Sequence, residues 1–154
     1  SASFTVRAAM TGIGVFATEG LRTPPVSILK VEDNKGNLLE ENKKTPKRVL
    51  EETASRLIND ILSDNETGTP MFGPRSHLYF ENRQVAAKTG TTDNFKDAWT
   101  IGYTPSIVIG VWVGNNNNEP MIKQQPAATV AGPIFHEVME KSFLKYPSEG
   151  FNNP

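Results

Sequence analysis

Val85-Ala86-Ala87-Lys88-Thr89-Gly90-Thr91-Thr92 leads directly into a polar stretch, Asp93-Asn94-Phe95-Lys96-Asp97. An apolar run that turns into small hydroxyl residues around one glycine predicts a strand, over about 83–90, that leaves a core and ends at the surface. Lys88 and Gly90 alternate with Thr89 and Thr91, so the two pairs point to opposite sides. Gly90 is followed by polar residues and another strand rather than by a helix, which excludes a phosphate-binding loop. The next segments read as strands over about 97–104 and 106–114. Ile107-Val108-Ile109-Gly110-Val111-Trp112-Val113 is apolar at both alternating sets, as in a strand covered on both faces. Thr104-Pro105 is a short link, so these last two strands form an antiparallel hairpin.

Farther out, Phe4, Ala8, Ala9, Ile13 and Phe16 set a helical stripe over 4–17 that ends near Gly20. Thr23-Pro24-Pro25 breaks the chain. Val26 to Glu32 reads as a strand, Asp33 to Asn37 as a turn, and Leu38-Leu39-Glu40 as a short returning strand. Thr45-Pro46 suits a helix start. Val49, Leu50, Ala54, Leu57, Ile58, Ile61 and Leu62 then carry a helix over 46–63. Asp64 to Asn82 reads as a long irregular connection. Val130, Ile134, Phe135, Val138, Met139 and Phe143 form a final amphipathic helix, and 146–154 reads as a frayed tail. The fold class is α/β (α+β): an antiparallel sheet flanked by helices, as one domain over 1–154.

Composition narrows the function. Sixteen Lys and Arg balance seventeen Asp and Glu for a net charge of -1, which offers nothing to nucleic acid or an anionic membrane surface. No run reaches the about 18 apolar residues of a membrane span, and no leader-like segment opens the chain. With no cysteine and two histidines, neither disulfides nor a zinc site of the usual kind is expected, and no cofactor is called for.

The strand end itself suits a particular chemistry. The ammonium of Lys88 lowers proton affinity nearby and attracts a carboxylate, a catalytic role. Hydroxyls at Thr89 and Thr91 donate to a carboxylate without blocking the backbone. Gly90 clears a side chain where a substrate would lie, and an extended peptide adds to such an edge through backbone hydrogen bonds. A backbone N–H near Thr91 aimed at a developing oxyanion contributes about 3 kcal/mol. Lys-Thr-Gly alone, however, is better read as an ordinary surface strand end.

The flanks change that weighting. The run from Ala86 through Lys88-Thr89-Gly90-Thr91-Thr92 and Asp97-Ala98-Trp99 to Tyr103-Thr104-Pro105 closely resembles the transpeptidase domain of class A penicillin-binding proteins, as does Gly110-Val111-Trp112-Val113-Gly114-Asn115. Val15-Phe16-Ala17-Thr18-Glu19-Gly20 resembles the helix end before that family's proline-rich strand entry. Ala131-Gly132-Pro133-Ile134-Phe135-His136 resembles its last helix. The resemblance covers nearly the whole chain in order and implies the C-terminal part of that domain, within the penicillin-recognition (serine β-lactamase-like) fold. It makes Lys88-Thr89-Gly90 the third of three motifs of serine acyl-transferases. Thr91 would bind a substrate or β-lactam carboxylate and lend its N–H to the oxyanion hole, with Thr92 supporting the strand end. The implied reaction acylates a serine with a D-Ala-D-Ala stem peptide and passes the acyl group to an amine. The implied parent is a bacterial cell-envelope enzyme on the outer face of the cytoplasmic membrane, carrying a glycosyltransferase domain and a membrane anchor. The partner of this chain would be the remainder of the transpeptidase domain, with no membrane contact of its own.

Two further matches are decoys. Ser27-Ile28-Leu29-Lys30 fits Ser-x-x-Lys, and Ser63-Asp64-Asn65 is a literal Ser-Asp-Asn. A nucleophile of this kind works from a helix, where a lysine nearly one turn on can reach it. Ser27 begins a strand-like segment, on which residues three apart face opposite ways. Ser63-Asp64-Asn65 ends a helix with ordinary turn residues. In the family's pattern both fall on non-catalytic stretches, and the serine and second motif lie before the point matching Ser1. The chain alone is expected not to acylate. A serine β-lactamase, a non-catalytic peptide-binding module and an inactive excised folding unit are the alternatives.

The remaining candidates have plain readings. Trp99, Tyr103 and Trp112 line a groove or, at strand spacing, cover the sheet. His136 is better read as structural or surface. Arg75 and Ser76 either rim a cleft or lie in a solvated loop. Asn115 to Asn118 is turn chemistry, and Asp93 and Asp97, beside Lys96, are expected on a solvated surface.

Overall fold

The computed structural model describes residues 2–43, 45–122 and 124–154, with side chains described from Arg7 onward apart from these gaps. Phe4 of the expected stripe therefore lies outside the described side chains. In chain order the elements are α1 (Ala2–Ala17), β1 (Leu21–Arg22), β2 (Lys30–Glu32), β3 (Leu38–Glu41) and β4 (Lys47–Arg48). Then come α2 (Glu52–Ser63), α3 (Asn65–Phe72), β5 (Ala86–Thr91), β6 (Asp97–Thr104), β7 (Ile107–Gly114), α4 (Ala127–Val130) and α5 (Gly132–Ser142). No described helix is long and apolar enough to cross a membrane.

The strand that ends in Lys-Thr-Gly-Thr is the outer member of an antiparallel sheet, β5–β6–β7. Its register sets Ala87 opposite Gly102, Lys88 opposite Ile101 and Thr91 opposite Ala98, and Gly102 in turn opposes Ile109. The period of two then sorts the side chains. Ala98, Thr100 and Thr104 are buried on one face of β6. On that side Ala98 packs with Ala127 and Ala131. Ile109 packs there with Phe80, Val85, Phe135 and Met139. On the other face Tyr103 and Ala86 pack with Ala17, Ile13, Phe16 and Leu62. A β-carbon on Gly110 would touch Met10 of α1 at 3.2 Å. Strand β7 is thus covered on both faces, as its unbroken apolar run predicts.

Two glycines are demanded by this packing. A β-carbon at Gly102 would drive into the Phe135 ring, and one at Gly20, whose φ is +92°, into the Leu50 carbonyl. A buried polar relay ties three elements together. Tyr103 Oη donates to Asn59 Oδ1 at 2.7 Å, and Asn59 Nδ2 donates to the Phe16 carbonyl at 3.1 Å. Burial pushes ionisation of the Tyr103 hydroxyl well above the usual range.

Several boundaries differ from the sequence reading. The strand expected over Val26–Glu32 begins only at Lys30, where β3 supplies a partner; the residues after Pro24-Pro25 stay irregular. The helix expected over 46–63 begins at Glu52. Lys47–Arg48 instead pairs with Leu21–Arg22, and the Gly20 carbonyl accepts from Val49 N–H. Thr45 caps nothing; its hydroxyl donates to the Lys43 carbonyl at 3.3 Å. Long-range strand pairing overrides local helix preference there. Within the stretch expected to be irregular, α3 forms despite Gly68 and Pro70, because Asp64 accepts the Thr67 N–H at 3.1 Å and caps it. Strand β5 starts three residues later than expected and reaches Thr91. The tail has no regular structure but is tied down rather than frayed. Phe151 meets the Tyr103 ring edge-on at 5.6 Å, its N–H donates to Gln84, and Asn152 donates to Glu19.

Candidate functional site

Lys88, Gly90, Thr91 and Thr92 are exposed and Thr89 half-buried, on a strand whose outer edge has no strand partner among the described residues. Lys88 Nζ donates to the neighbouring Thr89 carbonyl at 2.6 Å. No ion pair among the described residues involves Lys88. Its charge therefore sits at the strand edge with no carboxylate against it. Gly90 has an ordinary negative φ, and an added β-carbon would meet only Trp99 Cβ at a comfortable 3.8 Å. Neither backbone conformation nor internal packing demands a glycine here. What a side chain would occupy is the open space over the strand end.

The far end of β5 is held from two sides. Thr91 Oγ1 accepts the Ala127 N–H at the start of α4, at 2.9 Å, which leaves its own hydroxyl proton for another acceptor. Thr92 Oγ1 accepts the Asp97 N–H at 2.8 Å and donates to Asp97 Oδ2 at 3.1 Å. Thr92 N–H donates to the Asp97 carbonyl at 3.0 Å. Asp97 Oδ1 accepts the Trp112 Nε1–H at 2.8 Å. Asp97, expected on a solvated surface, is thus a half-buried junction between β5, β6 and β7. Sequence reading missed it because its partners are set by strand register, not by spacing; a carboxylate opening the second strand of a tight hairpin was the available signal.

A groove of about 250 Å³ beside Lys88 is lined by Ile61, Leu62, Met71, Phe72 and Val85. Ser63, Asp64 and Asn65 also border it, which makes the literal Ser-Asp-Asn match tempting. Each is already engaged: Ser63 Oγ accepts from Gln84, Asp64 caps α3, and Asn65 Nδ2 donates to the Pro74 carbonyl. Ser27 lies in irregular chain ahead of β2, and Lys30 pairs with Glu32 at 2.8 Å. A second Ser-x-x-Lys, Ser142-Phe143-Leu144-Lys145, falls at the C-terminal end of α5, where Ser142 Oγ donates to the Met139 carbonyl at 2.7 Å. None of these serines stands at a helix start with lysine one turn on, so the structure does not join them to Lys88 as a nucleophilic site.

Of the other candidates, Ser76 borders the groove beside Lys88 and Trp99 stands opposite Gly90, while the rest have structural or turn roles. His136 stacks on Phe80 at 4.5 Å, and its Nδ1 lies 3.2 Å from the His77 carbonyl, a structural role. Arg75 borders a polar cavity of about 460 Å³ with His77, Tyr79 and Glu140. Asn115 Nδ2 donates to the Glu119 and Pro120 carbonyls, and Asn118 has φ +61°, as turn residues do. Trp112 is engaged by Asp97, and Tyr103 belongs to the buried relay.

Comparison with known proteins fits this geometry. The family described as the penicillin binding protein transpeptidase domain matches residues 4–140. Penicillin-binding protein 1A of Aquifex aeolicus is 37% identical over 140 residues, which is 91% of this chain and 19% of that protein. Penicillin-binding protein 1A of Clostridium botulinum (strain Langeland) is 35% identical over 143 residues, 92% of this chain and 16% of that protein. The chain thus spans less than a fifth of the length of these curated relatives. The structure of the penicillin-binding protein PonA1 from Mycobacterium tuberculosis superposes with a TM-score of 0.84 at 26% identity, covering 97% of this chain and 40% of that one. Penicillin-binding protein A from the same organism, solved as an imipenem acyl-enzyme complex, shares the fold at a TM-score of 0.66 and 18% identity, over 88% of this chain and 30% of that one. The chain belongs to the penicillin-binding protein transpeptidase domain family.

Proposed function

We propose that Lys88 to Thr92 forms the substrate-binding and oxyanion wall of a D,D-transpeptidase site, and that the serine nucleophile comes from the remainder of the transpeptidase domain. The observation that carries this is Gly90: a glycine required by neither fold nor packing keeps the strand end open beside an unpaired ammonium. An extended stem peptide ending in D-Ala-D-Ala would lie along the free edge of β5. Lys88 would supply positive potential for the acyl transfer and for the terminal carboxylate. The hydroxyls of Thr89 and Thr91 would donate to that carboxylate, the Thr91 N–H would meet the oxyanion, and Thr92 would hold the strand end. β-Lactams would occupy the same wall. The parent enzyme would act in the bacterial cell envelope, on the outer face of the cytoplasmic membrane, cross-linking peptidoglycan.

The test uses the full-length protein that carries this chain, incubated with a fluorescent penicillin and resolved under denaturing conditions. A covalent label is expected on a serine outside residues 1–154, with slower labelling for Thr91→Val. The isolated chain is expected to stay unlabelled. A label mapped by mass spectrometry to Ser27, or to any other residue of the chain, would overturn the reading.

A further inference from the structure

We infer that Asp97 is a positioning residue for acyl transfer, setting through Thr92 and Trp112 where the end of β5 presents Thr91; this rests on the function proposed above. Four hydrogen bonds meet on Asp97. Its N–H and Oδ2 engage the Thr92 hydroxyl at 2.8 and 3.1 Å, its carbonyl accepts Thr92 N–H at 3.0 Å, and Oδ1 takes the Trp112 indole at 2.8 Å. Thr92 is the residue after Thr91, so a change in backbone direction there moves the Thr91 hydroxyl and N–H together.

The loop inside this clamp is closed by one turn bond of its own, Phe95 N–H donating to the Thr92 carbonyl at 3.1 Å. Asn94 and Phe95 have φ of +58° and +53°, the left-handed region, which asparagine tolerates and which is adverse for phenylalanine. Such a conformation persists where the surroundings over-determine it, and it recurs at functional sites. Here the Phe95 carbonyl accepts the Met121 N–H at 3.1 Å. A β-carbon on Gly114, opposite Asp97, would come within 2.8 Å of both the Lys96 carbonyl and the Trp112 ring. Trp112 therefore lies tightly over the hairpin, and its indole fixes the carboxylate that fixes Thr92. One side chain thus joins the two: Oδ1 accepts from Trp112 and Oδ2 from Thr92.

The experiment measures the second-order rate of acylation by a fluorescent penicillin in the full-length protein, with thermal unfolding in parallel so that each rate refers to folded protein. Asp97→Ala is expected to slow acylation by about tenfold to a hundredfold, the scale of a small misplacement of reacting groups. Asp97→Asn is expected to recover most of the rate, because its carboxamide oxygen still accepts from Trp112 and its NH₂ can donate to Thr92 Oγ1. Thr92→Val is expected to slow acylation as well, and Thr92→Val/Asp97→Ala to be no slower than the slower single variant, since both act through one contact. Wild-type rates per folded molecule in Asp97→Ala, or in Thr92→Val should Asp97→Ala fail to fold, would refute the inference while leaving the proposed site intact. An unsubstituted protein that does not acylate would instead refute the site, and the inference with it.

Discussion

The two halves of β5 answer to different forces. Its base is sealed: Val85, just ahead of the strand, is 5% exposed and Ala86 fully buried, one packed under α5 and the other under α1. Its tip, from Lys88 to Thr92, lies open. The sealed half has few chemical choices, because size and shape decide what fits. The open half is tied to the fold by hydrogen bonds from Thr91 and Thr92 rather than by packing, so Lys88 and Gly90 reflect what it must bind. The contrast predicts separable consequences: changes around the base move stability, and changes at the tip move chemistry.

The largest expected effect lies at the base. Gly102 opposes Ala87, and a methyl group there meets the Phe135 ring and the Ala86 carbonyl at once. Gly102→Ala is expected to destabilise the chain by about 3 kcal/mol, measured by urea unfolding. A loss under about 1 kcal/mol would mean that the sheet and α5 separate readily, and that the base does not anchor the tip.

Lys88→Ala should give the reverse. Acylation in the full-length protein is expected to fall about a hundredfold, near 2.7 kcal/mol of barrier. Unfolding of the chain should shift by less than about 0.5 kcal/mol, since the side chain is exposed and bonds only to its neighbour's carbonyl. Equal loss of stability and rate would erase the distinction between the halves.

Tyr103→Phe comes next. Removing the hydroxyl leaves Asn59 Oδ1 buried without its donor, at a cost of about 1–2 kcal/mol. The substitution also has a pH signature. The folded-state ionisation of Tyr103 is raised, so above the ordinary value of 10.0 the unfolded chain loses its proton first and stability falls with rising pH. Tyr103→Phe should lessen that alkaline loss, as followed by thermal unfolding. An unchanged alkaline slope would place the hydroxyl in contact with solvent.

How far the sequence spoke follows the same division. The sheet was legible because alternation and the Thr104-Pro105 link are local signals. The tip was legible because its flanks are distinctive along most of the chain. What stayed hidden depends on partners far away in sequence. The pairing of Lys47–Arg48 with Leu21–Arg22 displaced a helix start that Thr45-Pro46 suggested. The Tyr103–Asn59 relay spans 44 residues, and the Ala127 bond to Thr91 spans 36. Asp97 looked like any loop carboxylate until the register set Thr92 and Trp112 beside it.

The smallest effect asks how far the anchoring of the base extends. Behind Ala17, at the end of α1, Glu19 accepts Arg56 Nε at 2.9 Å and Asn152 Nδ2 at 2.7 Å, which ties α2 and the tail to the helix end. The Arg56 hydrogen bond, then that of Asn152, holds the Glu19 carboxyl below its ordinary value of 4.5 against an opposing burial effect. A depressed carboxyl means that the unfolded chain binds more protons in acid. The contribution is therefore present above about pH 4.5 and lost as pH falls through the depressed folded value. Glu19→Gln should lower the thermal midpoint at about pH 7, and the gap from the unsubstituted chain should narrow towards about pH 3. Acylation at neutral pH should not move, because Glu19 touches nothing at the tip. A gap of the same size at both pH values would show that the glutamine amide disrupts packing rather than a charge contact. A slowed acylation would show that the base and the tip are coupled through α1.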